Sequence, residues 1–228
     1  MHSKITKKGI GFNMEKYVNK ELVKYIKDKI IPVYKLNGKA HGAEHIEMVV
    51  KRATEISELY PGLNYNILYT AVTFHDIGDH IDRKNHEIIS ANIMMQDKNL
   101  DKFFSKDEKE IIKQAIEDHR SSKGKVPRSI YGRILASADK CLDINKYFER
   151  CISYEKEHHP EYTKQQILNR NLEHAIEKFG KNGYAINMYY VDDNKYNEYL
   201  KKLQKLIDNE EEFFKKSNEI YDKLNKAN

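Results

Sequence analysis

The stretch AVTFHDIGDHID, residues 71–82, runs an apolar segment straight into His75, Asp76, Asp79, His80 and Asp82. Just upstream, Leu68, Ala71, Val72 and His75 recur at three- and four-residue intervals, which puts them on one face of a helix. The segment therefore predicts a helix over about 65–77, stopped by Gly78, whose core-facing stripe ends in an imidazole and a carboxylate.

The same period continues outward in both directions. Helices are expected over about 14–31, stopped by Pro32; over 43–60, ended by the Pro61-Gly62 turn; and over 85–96. Ser105 and Glu108 have the spacing of a capping box, which opens a helix reaching His119. Beyond Gly124 and Pro127 a further helix is expected over about 129–146. Thr163 and Gln166 form a second capping box, with Tyr162 and Ile167 as its staple, and that helix ends at GKNG, residues 180–183. A long amphipathic helix is expected over about 193–226. Its stripe of Tyr199, Leu203, Leu206, Phe213, Ile220 and Leu224 could pack on the core or on a second copy. No segment alternates convincingly as a strand would, so the fold class is all-α.

Composition narrows the function. The chain has 228 residues, 39% hydrophobic and 33% charged, with four prolines and ten glycines, which excludes a disordered polymer. Forty basic residues face 35 acidic ones, and the net charge of +5 is spread evenly. That argues against specific nucleic-acid binding while leaving phosphorylated small molecules welcome. Cys141 and Cys151 have no CxxC partner and read as free thiols. No apolar run approaches a signal peptide or a membrane span, so the expected location is cytoplasmic, with no membrane partner.

The chemistry lies in polar residues set on apolar stripes. His45 aligns with Val49, Ala53 and Ile56; His119 with Ile112, Ala115 and Ile116; Asp139 with Leu135, Ala138 and Leu142. One imidazole in such a place is ordinarily a hydrogen-bonded core residue, and Asp139 alone could cap a turn or pair with Arg133. The same anomaly on four helices, once as an adjacent His-Asp pair, points elsewhere. Burying these groups uncompensated is costly, and one shared metal ion compensates them together.

HDIG, residues 75–78, matches a signature of the HD superfamily of metal-dependent phosphohydrolases. His45 in HGAEHIEMVVKRA resembles that family's first ligand, His75-Asp76 its name-giving doublet, and Asp139 in LASADK its last aspartate. The resemblance covers roughly residues 41–143 in the family's order. It implies an all-helical HD-domain bundle over residues 1–147, including the N-terminal helix. Residues 148–228 are then a C-terminal helical extension, packed on the bundle or mediating assembly, with a homodimer through the last helix as one form of it. The implied reaction is hydrolysis of a phosphate ester or anhydride of a small molecule, a nucleotide above others, by metal-activated water.

His86 and His119 resemble the added ligands of two-metal branches, such as the bacterial diadenosine-tetraphosphate hydrolases, in which Asp76 would bridge both ions. Either could instead be a surface or phosphate-contacting histidine, as in a single-metal nucleotidase or alarmone hydrolase. A regulatory HD module that holds metal without turnover is the third reading. Imidazole with carboxylate suits manganese, iron or zinc, with magnesium also compatible, and two ions per chain are expected. Asp79 occupies the place where single-metal branches carry a glutamate, and it reads evenly as a proton-transfer group or a turn cap. Arg120, Lys140 and His41 are the candidate substrate contacts, with Arg83, Lys84 and Lys123 as further cations. YAINMYY, residues 184–190, offers an aromatic wall or simple packing.

Overall fold

The apolar stripes collect into two cores. The computed structural model describes residues 13–37, 41–120, 124–188 and 190–226, and every element among them is helical. The first core gathers buried side chains between Met14 and Ala138, the second those between Tyr147 and Ile220. Helices α1 (Lys20–Tyr25), α2 (Ala43–Ser57), α3 (Tyr65–Phe74), α4 (His86–Gln96), α5 (Lys106–Asp118) and α6 (Ile130–Ala138) build the first. Within it α5 packs on α3, α4 and α6, and α2 on α3 and α6. Helices α7 (Ile144–His158), α8 (Lys164–Phe179), α9 (Asn194–Ile207) and α10 (Glu210–Lys226) build the second. Both capping boxes form, at Ser105 and at Thr163.

Three expected helices are shorter than the apolar period suggests, and in each case an Asn or Asp cap interrupts it. The segment over 14–31 is a 3-10 turn, Met14–Tyr17, followed by α1, because Asn19 accepts from the amides of Glu21 (2.9 Å) and Leu22 (3.3 Å) and starts a new helix. Nor does Pro32 stop the chain. A π turn, Ile26–Ile30, passes into a 3-10 helix, Ile31–Leu36, where proline sits in the first turn and its missing N–H is no loss. The helix over 129–146 ends at Ala138, and Asp143 opens α7 by accepting from the Lys146 amide at 3.1 Å. The long last helix is two, divided at Asp208–Asn209, where Asn209 accepts from the Glu212 amide at 3.2 Å.

The stripe from Tyr199 to Leu224 faces the second core of its own chain. The connection between α8 and α9 lies against the first unit: Arg52 pairs with Asp193, Lys195 with Glu55 (2.6 Å), and the Asp192 amide donates to the Tyr60 hydroxyl (2.8 Å). Among the described residues no helix is long and apolar enough to cross a membrane.

Candidate metal centre

Five helix ends of the first unit converge. His45 lies in the first turns of α2, and His86 is the first residue of α4. His75, His119 and Asp139 each cap the C-terminus of a helix, α3, α5 and α6 respectively. A helix C-terminus leaves its last carbonyls unpaired and carries partial negative charge, which favours a cation nearby. Two of the capping imidazoles use those carbonyls. Nδ1 of His75 donates to the Val72 carbonyl (2.7 Å) and Nδ1 of His119 to the Ile116 carbonyl (2.6 Å). His86 does the same to the Arg83 carbonyl at 3.0 Å. A carbonyl can only accept, so Nδ1 carries the hydrogen and the neutral ring presents a lone pair on Nε2.

Those lone pairs meet. Nε2 of His86 and Nε2 of His119 are 3.2 Å apart, and each lies near Oδ1 of Asp76, at 3.2 and 3.4 Å. Oδ1 is buried and accepts no hydrogen bond. On the other side of the carboxylate, Oδ2 of Asp76 is 3.5 Å from Nε2 of His45 and 3.4 Å from Nε2 of His75. Oδ1 of Asp139 completes that group, 3.1 Å from His45 and 3.6 Å from His75. Donors bound at ~2.1 Å to a common ion stand about 3.0–3.4 Å apart at octahedral to tetrahedral angles. The two groups, His45-His75-Asp76-Asp139 at 3.1–3.6 Å and Asp76-His86-His119 at 3.2–3.4 Å, come close to that spacing and share Asp76. The donor set and the orphaned oxygen therefore suit divalent metal, which these residues could hold.

The electrostatics state the same demand. Desolvation pulls the His75 imidazole down, yet the Asp76 charge and the hydrogen bond to Asp139 lift it well above its ordinary value. His45 is raised against the same desolvation by Asp139 and Asp76, and His86 by Asp76. Desolvation would raise both carboxylates, but the His75 charge leads the groups that hold Asp76 well below its usual range. Hydrogen bonds from His45 and His75 do this for Asp139.

Residues that sequence reasoning did not single out hold Asp76 in place. The Asp76 amide donates to the Tyr34 hydroxyl (3.3 Å), which itself donates to the Thr73 carbonyl (2.9 Å). Asn37 donates to the carbonyls of His41 (3.0 Å) and Asp76 (2.9 Å) and accepts from the His80 amide (3.2 Å). The Gly78 amide donates to Ser90 Oγ on α4 (2.9 Å), and a Cβ on Gly78 would lie 2.6 Å from the Ile89 side chain. Apart from His41, four residues from Asn37, these partners lie 12 to 43 residues apart in sequence, so no local pattern marks them.

The candidate substrate contacts are placed variously. His41 sets Nδ1 2.7 Å from Asp76 Oδ2, and burial lowers its pKa. Asp79 pairs with Arg83 and belongs to neither donor group. Arg120 donates to the Lys84 carbonyl and lies 3.4 Å from the buried Glu87 carboxylate. Lys140 donates to the Met188 carbonyl, with its ammonium 4.7 Å from the Tyr190 ring and 4.2 Å from the Tyr196 ring. Tyr190 of YAINMYY thus helps enclose Lys140, and Lys123 lies outside the described residues.

Residues 42–143 match the family model described as HD domain. No curated protein and no solved structure matches the chain.

Proposed function

Because residues 42–143 are an HD domain, of a family made up generally of metal-dependent phosphohydrolases, we propose that the chain hydrolyses a phosphate ester or anhydride of a small molecule, a nucleotide above others. One observation carries the reading: the Asp76 carboxylate lies between two sets of metal-type donors, one at each oxygen. A pair of divalent ions there supplies Lewis acidity and a water nucleophile at neutral pH. The chain's own residues do the rest. His45, His75 and Asp139 with Asp76 would hold one ion, and His86 and His119 with Asp76 the other. His41 fixes the Asp76 carboxylate through its 2.7 Å hydrogen bond. Asp139, 28% exposed where the histidine ligands are nearly sealed, marks the side from which substrate enters. Asp79, kept in place by Arg83, is the proton-transfer residue, and Arg120 beside His119 steadies a phosphoryl oxygen.

Elemental analysis coupled to a hydrolysis assay tests this. The purified protein should carry two divalent ions per chain and, with manganese, release phosphate from members of a panel of nucleotides and phosphate esters. Asp76→Ala should lose both ions and turnover, whereas His119→Ala should keep one ion. A folded wild type that binds no divalent ion, or that hydrolyses nothing in the panel, overturns the reading.

A further inference from the structure

The stretch that joins the two units carries one of the six metal-type donors. Helix α6 ends at Ala138 and α7 begins at Ile144, so Asp139 stands at the head of the connection between them. On the first-unit side its amide donates to the Leu135 carbonyl at 2.9 Å, and its carboxylate faces His45 and His75. Of the six donor side chains it is the most exposed, so packing constrains it least.

The next residue is held from the second unit. The Lys140 ammonium donates to the Met188 carbonyl and lies 4.7 Å from the Tyr190 ring centroid and 4.2 Å from that of Tyr196. These three partners lie between α8 and the first turn of α9, and the Tyr196 hydroxyl donates to the Ala185 carbonyl at 2.6 Å, which ties that segment to itself. A carbonyl and two ring faces replace the water that a partly enclosed ammonium gives up. Lys140 is thereby committed to the second unit, and its backbone, one peptide from Asp139, is fixed with it. We propose that Lys140 is a positioning residue: through it the second unit sets the Asp139 carboxylate against His45 and His75 and so governs the affinity of the first ion. His86 and His119 sit on α4 and at the end of α5, inside the first unit, so the second ion is outside its reach. This rests on the metal-binding reading of the centre and not on turnover.

Calorimetric titration with manganese, in variants that keep one donor group each, tests the role. In a His119→Ala background, where the first group is intact, Lys140→Met should weaken binding about ten-fold, the low end for a residue that orients a ligand from outside the coordination sphere. In a His45→Ala background, where the second group is intact, the same substitution should change little. Lys140→Arg should recover part of the loss. Tyr190→Leu should weaken the first ion about three-fold, and Tyr190→Phe, which keeps the ring face, should restore it. Lys195→Met removes a different tie between the units, the 2.6 Å pair with Glu55, and should leave both affinities as they were. If Lys140→Met loses its cooperative urea transition, Tyr190→Leu decides by the same titration. Unchanged affinity for the first ion, or an equal loss in Lys195→Met, overturns the positioning role alone. A parent protein that binds manganese but hydrolyses nothing overturns the hydrolytic reading and leaves Lys140 in its role, whereas one that binds no manganese overturns both.

Discussion

At the scale of the residue, the centre is defined by what its hydrogens are committed to. His75, His86 and His119 each spend Nδ1–H on a backbone carbonyl, so their facing Nε2 atoms repel unless a proton or a metal ion lies between. In the metal-free protein the proton does this. The raised imidazoles of His45, His75 and His86 stabilise the fold fully below their usual 6.5, and the effect is lost as pH climbs through their raised values. The depressed carboxylates of Asp76 and Asp139 contribute above their usual 3.8 and fail only in stronger acid. His41, lowered by burial, opposes the trend more weakly, as a single ring. The metal-free protein should therefore melt at a lower temperature at pH 8 than at pH 6. With saturating manganese the order should reverse, since metal and proton compete for the same nitrogens. Melting curves at the two pH values, with and without manganese, check this; a metal-free protein more stable at pH 8 contradicts the geometry. Of the six side chains that meet here, His45, His75, His119 and Asp139 stand out in the sequence as ionisable groups on apolar stripes and Asp76 as the neighbour of His75, whereas His86 is marked only by the resemblance. Tyr34 and Asn37 could not, since a tyrosine or asparagine near a helix end is ordinary until the fold brings Asp76 to it.

At the scale of the element, the ends of helices matter more than their lengths. The apolar period revealed which segments are helical, but it ran through Asn19, Asp143 and Asn209 without registering them as caps. The break after Ala138 has a direct consequence, because it frees Asp139 from the helix and lets its carboxylate meet His45 and His75. The glycine of HDIG has an element-level role too. Gly78 lets the turn after α3 touch α4, the helix that carries His86, with Ile89 closing on the space a Cβ would take. Gly78→Ala should cost about 1–3 kcal/mol by overpacking and push α4 outward. Urea denaturation measures the first effect. The second should appear as a weakened second metal site with the first retained, and a variant of wild-type stability and full metal content would show that the contact is slack.

At the scale of the whole molecule, polar contacts join the two units where Val191 also packs on the first core, and the most enclosed of the ion pairs is Arg52 with Asp193. Both side chains are only 11% exposed, and the Arg52 Nε has no partner of its own. A pair so enclosed gains little over apolar packing; losing Arg52 strands Asp193, whereas losing Asp193 leaves Arg52 its other partner, Glu55, at 3.0 Å. Asp193 also caps α9 by accepting from the Lys195 amide at 3.1 Å. Arg52→Ala should therefore destabilise by about 3 kcal/mol, and Asp193→Ala by less through the pair, because Glu55 still faces Arg52, plus roughly 1 kcal/mol for the lost cap. The double variant should lose less than the sum of the two, because neither charge is then left stranded. If urea denaturation finds the two single effects simply additive, the pair is not coupled and the second unit is held by Lys195, Tyr60 and Lys140 instead. Coupling would tie the docking of the second unit to a contact in the C-terminal half of α2, whose first turn carries His45.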